Sequence, residues 1–273
     1  MTFDPQELED LGRTAEEAAR AAGKTALGGF RGDMQVRSKG GKDIVTQYDT
    51  AAEDAALAVI RRHFPRHDIL AEESGASVKD PSAKAVWRWA VDPIDGTHNY
   101  AMQLPFWCSS VAVADSASGQ VVAAAVYDSL HEELFSAVLG GGAYLNGKKM
   151  KVAETPELED AKVVADIGYE PQVAHRMMSL GPWVQPRVGR LRLLGSAVLA
   201  ITYVAAGRFD LYYHLSLQPW DIAASSLLVT EAGGVVTGWD GGPIAEGQTS
   251  AVVANPTLHP KALAMLREGE ARK

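Results

Sequence analysis

The chain has 273 residues, 47% of them hydrophobic and 22% charged, with a formal net charge of −8. This is the composition of a soluble globular protein that can bury a substantial core, as one α/β domain or two closely packed halves; its acidity argues against a nucleic-acid partner held on a basic surface. The one cysteine, Cys108, excludes an intrachain disulfide and predicts a cytoplasmic setting, the acidic N-terminus predicts no signal peptide, and no apolar run approaches the roughly 20 residues that span a bilayer.

Asp4 and Pro5 begin a helix as N-cap and first helical residue, and an alanine-rich run carries it to about Ala26, before Gly28-Gly29. Residues 37–43 are polar and glycine-rich, which predicts a mobile loop carrying Lys39, either a solvated charge or a cation beside an active site. Thr46-Gln47-Tyr48-Asp49 has the form of a capping box opening a second helix to about His63, so Asp49 has a purely structural reading. Ile69 to Glu73 is a strand-like run ending in acids, Glu72 first. Trp87 to Asp92 predicts a buried strand that stops in Asp92-Pro93-Ile94-Asp95-Gly96-Thr97. Pro93 stiffens that turn and Gly96 lets it bend, so Asp92, Asp95 and the Ile94 carbonyl can converge on one hard cation.

From Thr97 a short helix is expected, its N-terminal amides forming a phosphate cradle. Val111 to Ala114, Val121 to Tyr127 and Glu133 to Val138 read as neighbouring, largely antiparallel strands, with turns at Gly140–Gly142 and Asn146-Gly147. A polar stretch from Glu154 to Asp160 is the expected boundary between halves 1–155 and 156–273. Beyond it come a strand (Val163 to Ile167), a helix (Val173 to Leu180) and a strand (Arg190 to Leu194). Gly195-Ser196 then opens an alanine-rich helix, a second anion-receiving arrangement. Phe209 to Tyr213 is a strand, Trp220 to Glu231 a helix with Asp221 at its start, Ala251 to Ala254 a strand, and a last helix begins near Pro256. Alternation of this kind predicts mixed α/β layers.

Four acids, Glu72, Asp92, Asp95 and Asp221, thus stand at element ends. Crowded together without cations, carboxylates raise one another's pKa and destabilise the fold. Divalent ions invert the local field and let an acidic protein receive a phosphate.

The sequence 92–97, preceded by Glu72-Glu73-Ser74 and followed far downstream by Trp220-Asp221-Ile222-Ala223-Ala224, resembles the inositol monophosphatase family of Mg²⁺-dependent, lithium-sensitive sugar-phosphate phosphatases. The resemblance runs from Lys39 through the C-terminal helix. It implies an α/β (α+β layered) fold, the alternating αβαβα sandwich of the inositol monophosphatase and fructose-1,6-bisphosphatase type, and a homodimer. It implies two or three Mg²⁺ per site: Glu72, Asp92 and the Ile94 carbonyl at the first, Asp92, Asp95 and Asp221 at the second, Glu72 and water at a weaker third. Thr97 would orient and Glu72 help deprotonate the attacking water, with Asp49 beside the ligands and Lys39 on a flexible segment nearby. Asp95, Gly96, Thr97, Gly195, Ser196, Ala197, His214 and Asp221 would form the substrate pocket.

The implied substrate is a small polyol or sugar phosphate, inositol 1-phosphate first, with histidinol phosphate, fructose 1,6-bisphosphate and a 3′,5′-bisphosphonucleotide as alternatives. His214 departs from the pattern, because inositol-specific members carry a glutamate there. A reading of another class is an interaction protein, since some bacterial relatives bind the transcription machinery. Neither nucleic acid nor membrane is expected as a direct partner. Cys108 reads as a core thiol and Trp220 as a packing wedge beside Asp221.

Overall fold

Two sheets, each covered by helices on both faces, carry the architecture of the computed structural model, which describes residues 3–77, 86–244 and 250–272. Helix α1 (Pro5–Gly29) is capped by Asp4, whose carboxylate accepts the Gln6 amide at 3.0 Å. Residues 37–43 are not the loop expected. They belong to a hairpin, β1 (Val36–Gly40) and β2 (Asp43–Thr46), with Gly40 and Gly41 at its tip at φ +131° and +57°. Every residue of β1 is exposed, so no apolar alternation marks it as a strand. Helix α2 (Gln47–His63) then starts from the capping box of Thr46 and Asp49.

The first sheet contains β3 (Asp68–Ala71), β4 (Gly75–Ser77), β5 (Trp87–Asp95), β6 (Cys108–Asp115), β7 (Val121–Asp128), β8 (Glu133–Val138), β9 (Gly142–Leu145) and β10 (Lys148–Lys149). The short helix α3 (Thr97–Ala101) follows β5 directly. Strand order is β10-β9-β8-β7-β6-β5-β3-β4, antiparallel except where β3 runs parallel to β5. The second sheet is built from β11 (Lys162–Ala165), helix α4 (Pro171–Val184), β12 (Arg190–Leu193), α5 (Ala197–Ala205), β13 (Leu211–His214), α6 (Pro219–Glu231), β14 (Val235–Thr237), β15 (Ala251–Ala254) and α7 (Leu258–Glu270), with strand order β12-β11-β13-β15-β14. Strands β4 and β14 span three residues each and were not expected; neither is long enough to show a period.

Side-chain alternation sets the layers. On β5, Trp87, Trp89 and Val91 are buried towards α1 and α2, while Ala90 packs with the cluster that holds α5 and α6. Val164 and Tyr212 of the second sheet join that middle cluster, and Val163, Leu211 and Tyr213 face α4 and α7 instead. The order is therefore α1/α2, first sheet, α5/α6, second sheet, α4/α7, the five-layer αβαβα sandwich expected. Among the described residues no helix is long and apolar enough to cross a membrane.

Candidate metal centre

Residues three apart on a regular strand point to opposite faces. Asp92 and Asp95 escape this because β5 pairs Asp92 with Ser110 but Asp95 with Cys108, three steps against two. The extra residue is a bulge that turns both carboxylates to the middle layer. Ser109 pins it by donating its hydroxyl to the Pro93 carbonyl at 2.6 Å. Gly96 follows at φ +94°, and a Cβ there would stand 3.1 Å from the Phe106 carbonyl oxygen and 3.1 Å from the Ser196 Cβ.

Asp95 sits at the N-terminus of α5. Ser196 donates its hydroxyl to Oδ2, the Val198 amide reaches Oδ2 at 3.0 Å and the Ala197 amide reaches Oδ1 at 3.2 Å. A helix N-terminus favours an anion there. Asp221, in the first turn of α6, accepts the Gln218 amide at 2.7 Å. Asp92, Asp95 and Asp221 each place a carboxylate oxygen so that the three atoms lie within 4.8 Å of one another. Asp92 Oδ1 is buried with no partner in the protein. Burial, and then the neighbouring carboxylates, push Asp92 and Asp221 well above the usual range. Burial also raises Asp95, but the Ser196 and α5 donors offset part of this and leave it at about 6. Three crowded oxygens and an unsatisfied lone pair fit a hard divalent cation.

Glu72 lies just past β3, its amide bonded to the Val91 carbonyl at 3.1 Å and its carboxyl bonded to that of Asp92. Lys39, on β1, reaches across with Nζ 2.8 Å from Glu72 and 2.6 Å from Glu73. Burial alone would lower the Lys39 ammonium; the two acids outweigh it and hold the pKa above its ordinary value. Asp49 caps α2 and also reaches Thr97. Its Oδ2 accepts the Thr46 amide at 2.8 Å, and its Oδ1 lies 3.0 Å from the Thr97 hydroxyl, which is also 3.0 Å from the Ile94 carbonyl.

Lys39, Asp49, Glu72, Asp92, Ile94, Asp95, Thr97 and Asp221 are thus linked in one constellation. Gly195, Ser196 and Ala197 border it through Asp95. His214 ends β13 and forms no bond with the acids. Cys108 is a buried thiol whose Sγ lies 3.9 Å from Asp95 Oδ2, and burial first, then Asp95 and Asp92, push it well up, so a thiolate nucleophile is disfavoured.

Four neighbours were missed from the sequence. Glu53, one turn after Asp49 on α2, accepts the Glu73 and Ser74 amides at 2.8 and 2.9 Å; two buried acids at i and i+4 were the available signal. Asn99 donates to the Phe106 and Leu194 carbonyls at 2.8 and 2.7 Å. Tyr169 packs its ring 5.1 Å from that of His98, and its phenol is raised by burial and then by Asp95, Asp43, Glu72 and Asp221. Asp166 follows β11 much as Glu72 follows β3.

The sequence matches the profile of the inositol monophosphatase family over residues 7–271. It is 35% identical over 257 residues to the protein named Nus factor SuhB of Escherichia coli K12, covering 93% of this chain and 94% of that one. It is 32% identical over 269 residues to the inositol monophosphatase of Dictyostelium discoideum, covering 96% of each. The solved inositol monophosphatase of Anabaena superposes with a TM-score of 0.83 at 32% identity, over 96% of this chain and 97% of the other. A family profile spanning almost the whole chain, on a five-layer sandwich with three acids gathered at one centre, makes this chain a member of the inositol monophosphatase family, a family of phosphatases.

Proposed function

We propose that the protein is a Mg²⁺-dependent phosphomonoesterase acting on a small polyol or sugar phosphate, with inositol 1-phosphate first among candidates. The observation that carries this is the meeting of Asp92, Asp95 and Asp221 oxygens within 4.8 Å, beside the unpartnered Asp92 Oδ1. Glu72, Asp92 and the Ile94 carbonyl would hold one ion, and Asp92, Asp95 and Asp221 a second. Bound there, Mg²⁺ supplies positive charge to draw the phosphate, acidify water and stabilise the leaving oxygen. The Thr97 hydroxyl, fixed beside Asp49, orients the attacking water, and Glu72 accepts its proton. The first amides of α3 receive phosphate oxygens.

Met102, Leu104 and Leu193 are 60%, 47% and 50% exposed. Asn99 bonds the Leu194 carbonyl and so ties α3 to the segment that carries Leu193. A second copy covering them gives the homodimer, which light scattering reads as twice the monomer mass.

Phosphate release at fixed Mg²⁺ from inositol 1-phosphate, histidinol phosphate, fructose 1,6-bisphosphate and a 3′,5′-bisphosphonucleotide tests the reading. The polyol monophosphate is expected to lead in kcat/KM. Release from none of them favours the second reading, a partner-binding protein, to which the relatives named Nus factor SuhB point.

The raised acids give a further expectation. A carboxyl with a folded pKa above its unfolded value holds extra protons when folded, so its support for the fold is present near pH 4 and lost as pH rises through the folded pKa, about 6 for Asp95, with Asp92 and Asp221 raised in the same direction. A divalent cation replaces those protons. The rise in Tm on adding Mg²⁺ is therefore expected to be larger at pH 8 than at pH 5. Equal rises at both pH values would place the ion elsewhere.

A further inference from the structure

The hairpin of β1 and β2 pairs with neither large sheet. Every residue of β1 is exposed, and a Cβ at Gly40 or Gly41, at the tip, would meet nothing within 4 Å. A two-stranded hairpin is marginal in water by itself, so where it stands depends on its anchors. At its base the Gln47 side chain accepts the Gln35 amide at 2.7 Å and donates to the Asp33 carbonyl at 3.0 Å; the Tyr48 hydroxyl donates to that carbonyl at 3.2 Å. Among the described residues, two polar side-chain contacts tie its far half to the body. One is Lys39, with Nζ 2.8 Å from Glu72 and 2.6 Å from Glu73. The other is His98, in the first turn of α3, whose Nε2 lies 2.8 Å from the Lys42 carbonyl. A carbonyl oxygen only accepts, so Nε2 carries the proton and donates it. The His98 ring packs against Tyr169, which stands between β11 and α4, with centroids 5.1 Å apart. His98 thus joins the hairpin tip to α3 and to the segment that leads into α4.

We propose that His98 is a positioning residue: its Nε2–H latches the hairpin tip to α3 and so holds the Lys39 ammonium beside Glu72. This rests on the phosphatase reading and adds to it a residue outside the acid cluster. The two anchors differ in what disturbs them. The Lys39 ammonium would share Glu72 with any divalent cation held there, and like charges repel, so that tie weakens as the site fills. The His98 bond runs from a ring N–H to a backbone carbonyl, uses no acid and is untouched by that competition. The latch therefore matters most in the loaded protein, where it keeps a positive side chain at the rim of the site to draw an anionic ester. One hydrogen bond of this kind shifts a closed-to-open ratio about three- to tenfold.

Trypsin cuts after Arg37, Lys39 and Lys42, all on this hairpin, and cleavage of a segment that opens locally follows the population of its open form. His98→Ala removes the donor, whereas His98→Gln places an amide N–H at about the reach of Nε2. Fragments ending at those three residues, followed by mass spectrometry, are expected about three- to tenfold faster from His98→Ala than from the wild type. The ratio is expected to be larger in Mg²⁺ than in EDTA, and His98→Gln is expected to cleave at close to the wild-type rate. Steady-state kinetics with inositol 1-phosphate is expected to show kcat/KM lowered by up to the same factor in His98→Ala, mainly through KM, and recovered in His98→Gln. Unchanged hairpin cleavage in His98→Ala, or cleavage that quickens equally along the whole chain, overturns the latch. Faster hairpin cleavage with unchanged kinetics overturns the positioning role. A His98→Gln protein that behaves like His98→Ala assigns the effect to the lost ring contact with Tyr169 and overturns the hydrogen bond as its cause. A ratio no larger in Mg²⁺ overturns the competition at Glu72. A wild-type protein that releases no phosphate from any ester of the panel removes the phosphatase reading and the positioning role with it, and the cleavage ratio in EDTA then judges the latch alone.

Discussion

Asp95→Asn is expected to lower turnover at least about a hundredfold, the scale of removing charge stabilisation from a transition state. The side chain is asked to serve twice. Two of its neighbours in the acid cluster need it to complete the cation site, and α5 needs it as the anion at its N-terminus. Asparagine can keep an oxygen in the place of Oδ2 for both the Ser196 hydroxyl and the Val198 amide, and its new amide group replaces Oδ1, giving up the 3.2 Å bond from the Ala197 amide. One buried like charge disappears at the same time. Cation-free stability should therefore hold within about 3 °C in Tm, while kcat falls and the Mg²⁺ titration weakens. Near-normal turnover at saturating Mg²⁺ would remove Asp95 from the ligand set.

Gly96→Ala should damage both fold and activity. At φ +94° an L-residue incurs the left-handed penalty, about 1–2 kcal/mol. The new methyl would also press on the Phe106 carbonyl at 3.1 Å, the Ser196 Cβ at 3.1 Å and the Gly195 carbonyl at 3.2 Å, two of these being backbone that can yield only by moving the site. A total of about 2–4 kcal/mol is expected, together with a fall in kcat/KM as the first turn of α3 and the Gly195-Ser196 turn separate. Gly119→Ala is the control: its φ is +72°, but a methyl there meets nothing within 4 Å. It should incur the conformational penalty alone and leave activity intact. Equal destabilisation by the two substitutions in denaturant unfolding would show that the walls around Gly96 relax freely.

The acids were legible because Glu72, Asp92 and Asp95 stand where an apolar run stops and Asp221 where an apolar helix starts, a pattern that survives without knowing what lies next to it. The capping box at Thr46 and Asp49 was legible for a similar reason, being local. The bulge was not, since it is a property of pairing between β5 and β6 and leaves no trace in β5 alone. Lys39 was named, but its setting was misread: glycine and charge suggested a loop, whereas main-chain pairing with β2 makes a strand that needs no buried face. Asp166 carried the same signal as Glu72, an acid after a strand, and was passed over because no motif surrounds it. Its meaning comes from Gly195, 29 positions away and adjacent only through sheet order.

The acids of the centre come from both ends of the chain. Asp92 and Asp95 stand on the first sheet, the donors that hold Asp95 belong to α5, and Asp221 opens α6. During synthesis the first sheet can be complete, at β10, before α5 and α6 exist. A chain at that stage has two close carboxylates without the helix amides that tame one of them, and it lacks Asp221 altogether. The gathering of all three acids thus comes late, when the middle helices dock. If the proposed reading holds, a truncation that spares every residue up to β13 is expected to release no phosphate, because Asp221 lies beyond it.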